Sequence, residues 1–236
     1  MTDYADVVAS GGEGQANINI WLQDISPWCP GAHRSVMKRQ LILAMREFFE
    51  KSWAWRAEVG PIALQTNQQT YMLSPFNSTT DVVGVIWVAV NGAPLDPLQA
   101  APPPSQNGQP FSDTPGGYWM VRPDILAVYP IPNITSVPQN LTALLALRPK
   151  MTVTQVPQIA VTNFYEAIMY GALYRLLGQP AKPYSNPALA SQFEVKFRRE
   201  IGVYAGKAKK GFNNAASWRF PYFGNGRHSY YSGGAR

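Results

Sequence analysis

The last thirty residues of this chain, 207–236, combine two kinds of side chain that could bind a partner. They contain six Lys and Arg and no Asp or Glu, so they carry the whole formal net charge of +6, because the fourteen basic and fourteen acidic residues elsewhere cancel. Seven Phe, Trp and Tyr residues lie between the cations, separated by Gly and Asn. Cations among aromatic rings suit an acidic protein surface or a nucleic acid strand.

We define residues 211–236 as the C-terminal segment and predict that it binds a partner. Its composition is too poor in aliphatic residues to form a core of its own, so its aromatic side chains should become buried only against another surface. The predicted partner-binding residues are Phe212, Trp218, Arg219, Phe220, Tyr222, Phe223, Arg227, Tyr230, Tyr231 and Arg236.

The rest of the chain offers little for catalysis or metal binding. One cysteine, Cys29, with two histidines, His33 and His228, provides too few ligands for a structural zinc site. No phosphate-binding loop, dinucleotide fingerprint or nucleophile motif is present. Isolated carboxylates in the middle of the chain are typical of turns and solvated edges rather than of acid–base catalysis: Asp81, Asp96, Asp113 and Asp124. We therefore predict a protein that is not an enzyme and has no metal or cofactor.

The composition favours a subunit of an assembly. Only 14% of the residues are charged, whereas ordinary domains have about 25%, so a surface covered by neighbouring copies would suit this chain. The longest aliphatic run, residues 82–90, is far shorter than the ~20 residues that cross a bilayer. The first residues have no basic stretch followed by an apolar one, as a secretion signal would. A soluble protein without membrane contact is expected.

Residues 1–30 are predicted to form an extended arm, because Ile18, Ile20 and Leu22 alternate before two prolines. From residue 31 to residue 58 the spacing changes. Apolar residues then recur every three or four positions, which predicts an amphipathic helix whose buried stripe is Met37, Leu41, Ala44, Met45, Phe48, Ser52 and Trp55.

Residues 59–160 are predicted to form a small inserted antiparallel β domain, because short β-branched and aromatic runs are divided by Pro, Gly and Asn. Asn91-Gly92 predicts a type I′ hairpin turn. The proline-rich stretch 99–117 predicts a long exposed loop.

Residues 161–210 return to helical spacing. One helix is predicted to begin at Thr162 or Asn163, with Glu166 as a capping-box partner, and to end at Gly178. The next is predicted to begin with Asn186 as its N-cap. The expected fold is therefore α+β: a bundle of about three helices, formed by residues 31–58 and 161–210, with the β domain inserted and an arm at each end.

Three phrases in this order resemble the head-to-tail adaptor proteins of short-tailed bacteriophages, also called connector or tubular tail proteins. The first is Phe48-Phe49-x-x-Ser52-x-x-Trp55-Arg56, the second is "FYEAI" with "GAL" after it in residues 164–173, and the third is "NPALASQF" in residues 186–193. The resemblance covers roughly residues 35 to 212. It leaves the 99–117 loop and the C-terminal segment unmatched.

The resemblance implies a structural protein of the virion, made in the cytoplasm of the bacterial host and placed at the head–tail junction. About twelve copies, a dodecamer, would form a ring under the portal. Side-to-side contacts between identical subunits close into a ring when the rotation per subunit divides a full turn. The ring would extend the DNA channel and form the platform for the tail. Its implied partners are other copies of itself, the portal protein, tail nozzle or tail fibre proteins, and the packaged DNA in the channel.

Two alternatives remain open from the sequence. The basic aromatic end also suits a nucleic-acid-binding module, which would stack bases and contact phosphates. Within the structural class, another tail or capsid protein is the second alternative. On the adaptor hypothesis, the C-terminal segment becomes ordered against another ring, which we expect to be the portal.

Overall fold

The computed structural model describes residues 15–73, 79–99, 111, 112, 114–133 and 138–211. Helices and mostly antiparallel sheets share these residues, which confirms the α+β class. The first elements in chain order are β1 (Gln15–Asn17), α1 (Asn19–Ile25), α2 (Arg34–Ser52) and β2 (Arg56–Ala63). The strands that follow are β3 (Thr70–Met72), β4 (Thr80–Val90), β5 (Ala93–Pro94), β6 (Asp96–Pro97), β7 (Phe111–Ser112), β8 (Gly117–Arg122), β9 (Ile125–Tyr129), β10 (Ile131–Pro132), β11 (Asn140–Pro149) and β12 (Gln155–Pro157). The last two elements are the helices α3 (Gln158–Leu177) and α4 (Pro187–Lys209).

Helix α2 buries the apolar stripe that the sequence predicts. All seven residues of the predicted stripe are buried, six of them within the helix. Trp55 lies beyond the end of α2, and the prediction that helical structure extends to residue 58 is wrong, because β2 begins at Arg56. The helix begins after His33, whose ring nitrogen accepts a hydrogen bond from the Ser35 amide at 3.3 Å. It ends at Ser52 because Trp53 takes a left-handed conformation, with φ of 53°, and its amide donates to the Phe49 carbonyl at 3.0 Å. This bend returns the chain to the sheet.

Helix α3 begins earlier than the sequence predicts. Thr162 and Asn163 were expected to cap it, but it begins at Gln158, directly after Pro157. Thr162 is accommodated inside the helix because its hydroxyl donates to the Gln158 carbonyl at 3.1 Å. The predicted end at Gly178 is confirmed.

The start of helix α4 is also confirmed. The Asn186 side chain accepts a hydrogen bond from the Leu189 amide at 3.1 Å, and Pro187 is the first helical residue.

The three long helices pack against one another around aromatic rings. Phe48 of α2 lies 5.3 Å from Phe164 of α3 and 6.4 Å from Phe197 of α4, between ring centroids. Phe48 is buried, as predicted, and so is Phe197. Gly171 permits the close approach, because a Cβ there would meet the Phe197 ring at 2.7 Å and the Ala44 Cβ at 2.9 Å.

The predicted extended arm is wrong over its described part. Only β1 is extended, pairing with β12; helix α1 follows and buries Trp21, Leu22 and Ile25. Trp21 stacks on Tyr165 at 5.3 Å and donates to its carbonyl at 3.1 Å. The buried residues follow Ile18 at the three- and four-residue spacing of a helix. The two-residue alternation through Ile20, which predicted an extended arm, does not match the buried residues.

The two larger sheets each contain four strands, in the orders β2-β11-β4-β5 and β3-β9-β8-β6. The hairpin turn between β4 and β5 is confirmed by positive φ angles of 48° at Asn91 and 82° at Gly92. Most strand pairs are antiparallel, as predicted. Two pairs of only two residues each are parallel, β6 with β8 and β7 with β10.

Most of the predicted 99–117 loop, residues 100–110 and 113, lies outside the described residues. Within the described part, β7 and the first residue of β8 are strands rather than loop. The prediction is wrong there, because β7 finds a partner in β10, a strand distant in the chain.

Ion pairs join helix α2 to strands β4 and β11. Arg46 donates to Asp81 at 2.9 Å and to the Pro149 carbonyl at 2.6 Å, while Arg148 donates to Glu50 at 2.6 Å. The buried core is continuous from the helices into the sheets. This joint fixes the helices relative to β4 and β11.

Glu47 should make the free energy of unfolding depend on pH in the acid range. Burial raises the pKa of Glu47, but hydrogen bonds from Lys51 at 2.5 Å, from Arg175 and from Tyr174 at 3.1 Å outweigh it and leave the pKa below its usual value of 4.5. A carboxyl with a lowered pKa stabilises the fold above its unfolded pKa, and this stability is lost as pH falls through the folded pKa.

We expect Glu47→Gln to lower the free energy of unfolding by about 1–2 kcal/mol at neutral pH, since charged hydrogen bonds become neutral ones. The difference from the wild type should shrink below pH 4.5. Denaturant unfolding at neutral and acid pH measures this. Glu194→Gln, in the exposed pair with Arg198, is the matched control and should have a smaller effect. A gap that stays constant with pH would contradict the prediction.

Candidate interaction surfaces

All ten predicted partner-binding residues, from Phe212 to Arg236, lie outside the described residues. The structure therefore places none of them. It does describe the position from which they extend, which is the end of helix α4. Two clefts lie along this helix, one at its end and one near its middle.

The first cleft, which we call the root cleft, has a volume of about 270 Å³ and lies where the C-terminal segment begins. Arg56 forms one wall and donates to the Ala208 carbonyl at 2.5 Å and to the Trp53 carbonyl at 3.1 Å. Burial lowers the pKa of Arg56. The cleft is lined by Lys51, Ser52, Trp53, Arg56, Ala205, Ala208 and Lys209.

Trp53 gives the root cleft an aromatic surface. Its ring lies over Gly84 of β4, where an added Cβ would come within 3.3 Å of the indole. The side chain is 39% exposed, unlike Phe48, Phe49 and Trp55 beside it in the sequence, which are buried. The guanidinium of Arg56 holds the end of α4 against the cleft, so the last turn of this helix lies beside a cationic aromatic surface.

The second cleft, which we call the tyrosine groove, lies between α3 and α4 and has a volume of about 520 Å³. Its walls are fixed by tyrosine hydroxyls: Tyr204 donates to the Asn163 carbonyl at 2.7 Å, and Tyr165 donates to Asp24 of helix α1. The groove is lined by Val161, Thr162, Asn163, Tyr165, Glu166, Ala167, Glu200 and Tyr204.

The electrostatics of the tyrosine groove are set by Glu166 and Glu200. Burial raises the pKa of Tyr204, and these two carboxylates raise it further. Burial also raises the pKa of Tyr170, again with contributions from both carboxylates. Both carboxylates line the same groove and act on the same two phenols. A cation entering it would gain from both.

The remaining candidates have structural roles. Burial raises the pKa of the Cys29 thiol to about 11, so it stays protonated at neutral pH. Arg198 pairs with Glu194 at 2.6 Å and Arg199 with Glu200 at 3.2 Å on an exposed helix face. Among the described residues, no group of three or more His, Cys, Asp and Glu side chains could hold a metal ion.

The chain matches no protein-family model and no curated protein sequence. None of the helices in the described ranges has the length and apolar character needed to cross a membrane.

Sequence reasoning missed the tyrosine groove. Glu166 was assigned to a capping box at the start of α3, but that helix begins at Gln158, so Glu166 lies in its third turn and faces the groove instead. The available signal was the recurrence of Tyr and Glu on the polar sides of α3 and α4. It identifies no shared cleft until the packing of the two helices is known.

Proposed function

We propose that this protein is a head-to-tail adaptor, a structural subunit that forms a ring under the portal of a short-tailed bacteriophage. The ring extends the DNA channel and provides the platform on which tail nozzle or tail fibre proteins assemble. The subunit acts in the virion after synthesis in the host cytoplasm, and its work is contact rather than catalysis.

The observation that carries this proposal is the segregation of charge and aromatic surface at one end of the chain. The six cations of residues 207–236 account for the net charge of +6, while the described body presents paired ions such as Arg46 with Asp81 and Arg175 with Glu47. A neutral body suits packing between identical neighbours, and a basic aromatic end suits an acidic surface on a different ring.

The arrangement of the elements gives further support. The three phrases that resemble adaptor proteins fall at the end of α2, inside α3 and at the start of α4. These are the helices that pack together around Phe48. The resemblance therefore follows the helical core of the protein, with the β region inserted between its first and second helices.

The portal contact is assigned to the densest aromatic cluster of the C-terminal segment, Trp218, Phe220, Tyr222 and Phe223. Aromatic anchors supply most of the affinity in many interfaces, and Arg219 among them would pair with portal carboxylates. The same residues favour a second candidate, a nucleic-acid-binding module, since bases stack on aromatic rings and phosphates attract arginines.

The direct test is to mix the purified protein with the portal of the same phage and image the particles by negative-stain electron microscopy. We expect an added ring of about twelve subunits stacked coaxially on the portal, as a closed heterologous assembly requires. Portal particles that stay unchanged, combined with salt-sensitive binding of the protein to oligonucleotides, would instead support the nucleic-acid alternative.

A further inference from the structure

The tyrosine groove is a preformed site with rigid walls. Trp21 stacks on Tyr165, and Tyr204 packs edge-on against Phe164 at 4.9 Å between centroids. The hydroxyls of Tyr165 and Tyr204 are both engaged by groups of the protein itself. The rings are therefore held in place before a ligand arrives, which reduces the ordering cost of binding.

The chemistry of the groove suits an arginine side chain. Its described lining includes two carboxylates, Glu166 and Glu200, and no Lys or Arg. Cations lie at its rim, where Arg199 pairs with Glu200 and Lys207 lies 4.7 Å above the Tyr204 ring. Glu166 accepts a long hydrogen bond of 3.4 Å from Tyr170. A guanidinium can bind carboxylates through a planar fork and stack on a tyrosine face at the same time.

We propose that the tyrosine groove binds the end of the C-terminal segment, residues 227–236, of a second copy of this chain. This inference rests on the proposed ring and identifies one of the contacts that would close it. Residues 227–236 contain Arg227 and Arg236, with Tyr230 and Tyr231 between them and no carboxylate side chain. Their charge and ring content complement a groove that offers Glu166 and Glu200 between tyrosine walls.

The length of the chain allows this contact. Sixteen residues lead from Gly211 to Arg227, and such a stretch spans up to about 55 Å when fully extended. Gly224-Asn225-Gly226 separates residues 227–236 from the cluster of Trp218 to Phe223. The two parts can therefore bind different partners, the first the portal and the second a neighbouring subunit.

The proposed ring favours a second copy over the same chain as the source of the bound segment. Helix α4 runs from Pro187 to Lys209, so beyond Glu200 and Tyr204 it carries the backbone away from its own groove. When each copy places its end in the groove of the next, the same contact repeats around the assembly, and it closes into a ring when the rotation per subunit divides a full turn.

The test is the self-association of the full chain, measured by sedimentation over a concentration series. The double variant Glu166→Gln with Glu200→Gln and the single variant Arg227→Gln should each weaken the apparent association constant by about tenfold or more, because each leaves a charge unpaired. Glu194→Gln, which removes an exposed carboxylate of the same helix, should leave it within about twofold. Circular dichroism confirms that each variant is folded.

A charge exchange makes the test specific. Glu166→Arg should block association, and adding Arg227→Glu to the same chain should restore a large part of it, since the pair is re-formed with opposite signs. Groove variants that associate like the wild type would overturn the inference. A wild-type chain that stays monomeric over the whole concentration series would also overturn it. So would a contact between Arg227 and the groove that forms equally at every concentration, because such a contact lies within one chain.

Failure of this inference can be separated from failure of the proposed function. If the groove variants still add complete rings to portal particles, only the groove contact is wrong. If the wild type adds no ring to the portal, the adaptor proposal itself fails.

Discussion

Replacing Phe197 by alanine is expected to lower the free energy of unfolding by about 3–5 kcal/mol, the range for truncation of a fully buried aromatic ring. Phe197 is 1% exposed and packs against Phe48 and Tyr174, with ring centroids 6.4 and 5.7 Å away. The missing ring leaves a cavity beside Gly171, which has no side chain to fill it. The backbone beside the cavity belongs to helices α2 and α3, which are held in place by their own packing. It can therefore close the cavity only in part.

Equilibrium unfolding in denaturant measures this loss, and the thermal midpoint should fall with it. Val195→Ala is the matched control, because Val195 lies on the same helix but is 69% exposed, so its truncation should change stability by less than about 0.5 kcal/mol. Equal stabilities for the two variants would contradict the packing of α4 against α2.

The long helices could be predicted because their signals are local and agree with one another. Helix α4 has an N-cap at Asn186, a proline at its first position and an apolar stripe through Phe193, Phe197 and Ile201, all within one stretch of sequence. Helix α1 has only seven residues, too few for its spacing to outweigh the alternation of Ile18, Ile20 and Leu22. A periodic signal needs several turns to be distinctive.

The sheets show the same division between local and distant information. Asn91-Gly92 predicts its hairpin because both residues accept positive φ angles, and the two paired strands adjoin the turn. The pairing of β1 with β12 joins residues about 140 positions apart in the sequence, over only three positions. Such short strands carry no pattern that identifies a distant partner.

The candidate sites differ in a similar way. Composition alone predicts that the C-terminal segment is an interaction region, because charge and aromatic content are properties of one stretch. The tyrosine groove exists only because α3 and α4 pack side by side, which brings Glu166 and Glu200 to one cleft. Separately, each glutamate has the pattern of an ordinary solvated helix residue, so the site became visible only in the folded chain.

A chain that ends at Lys210 is expected to fold normally and to lose binding to the portal. Ala208 is the last buried residue of helix α4 among the described positions, so the truncation removes no described core side chain. It does remove Trp218, Phe220, Tyr222 and Phe223. Each aromatic anchor of an interface typically contributes ~2 kcal/mol or more, and a segment that becomes ordered on binding depends on a few such anchors.

The expected result is an unchanged unfolding midpoint together with no detectable ring on portal particles in co-sedimentation and electron microscopy. A quadruple alanine variant at Trp218, Phe220, Tyr222 and Phe223 should lose the portal but keep self-association, whereas Arg227→Gln should weaken self-association first. These opposite phenotypes separate the two parts of the C-terminal segment. If the nucleic-acid alternative is correct, truncation abolishes only salt-sensitive DNA binding, and rings that still form on the portal at full occupancy would contradict the assignment of this segment to the portal.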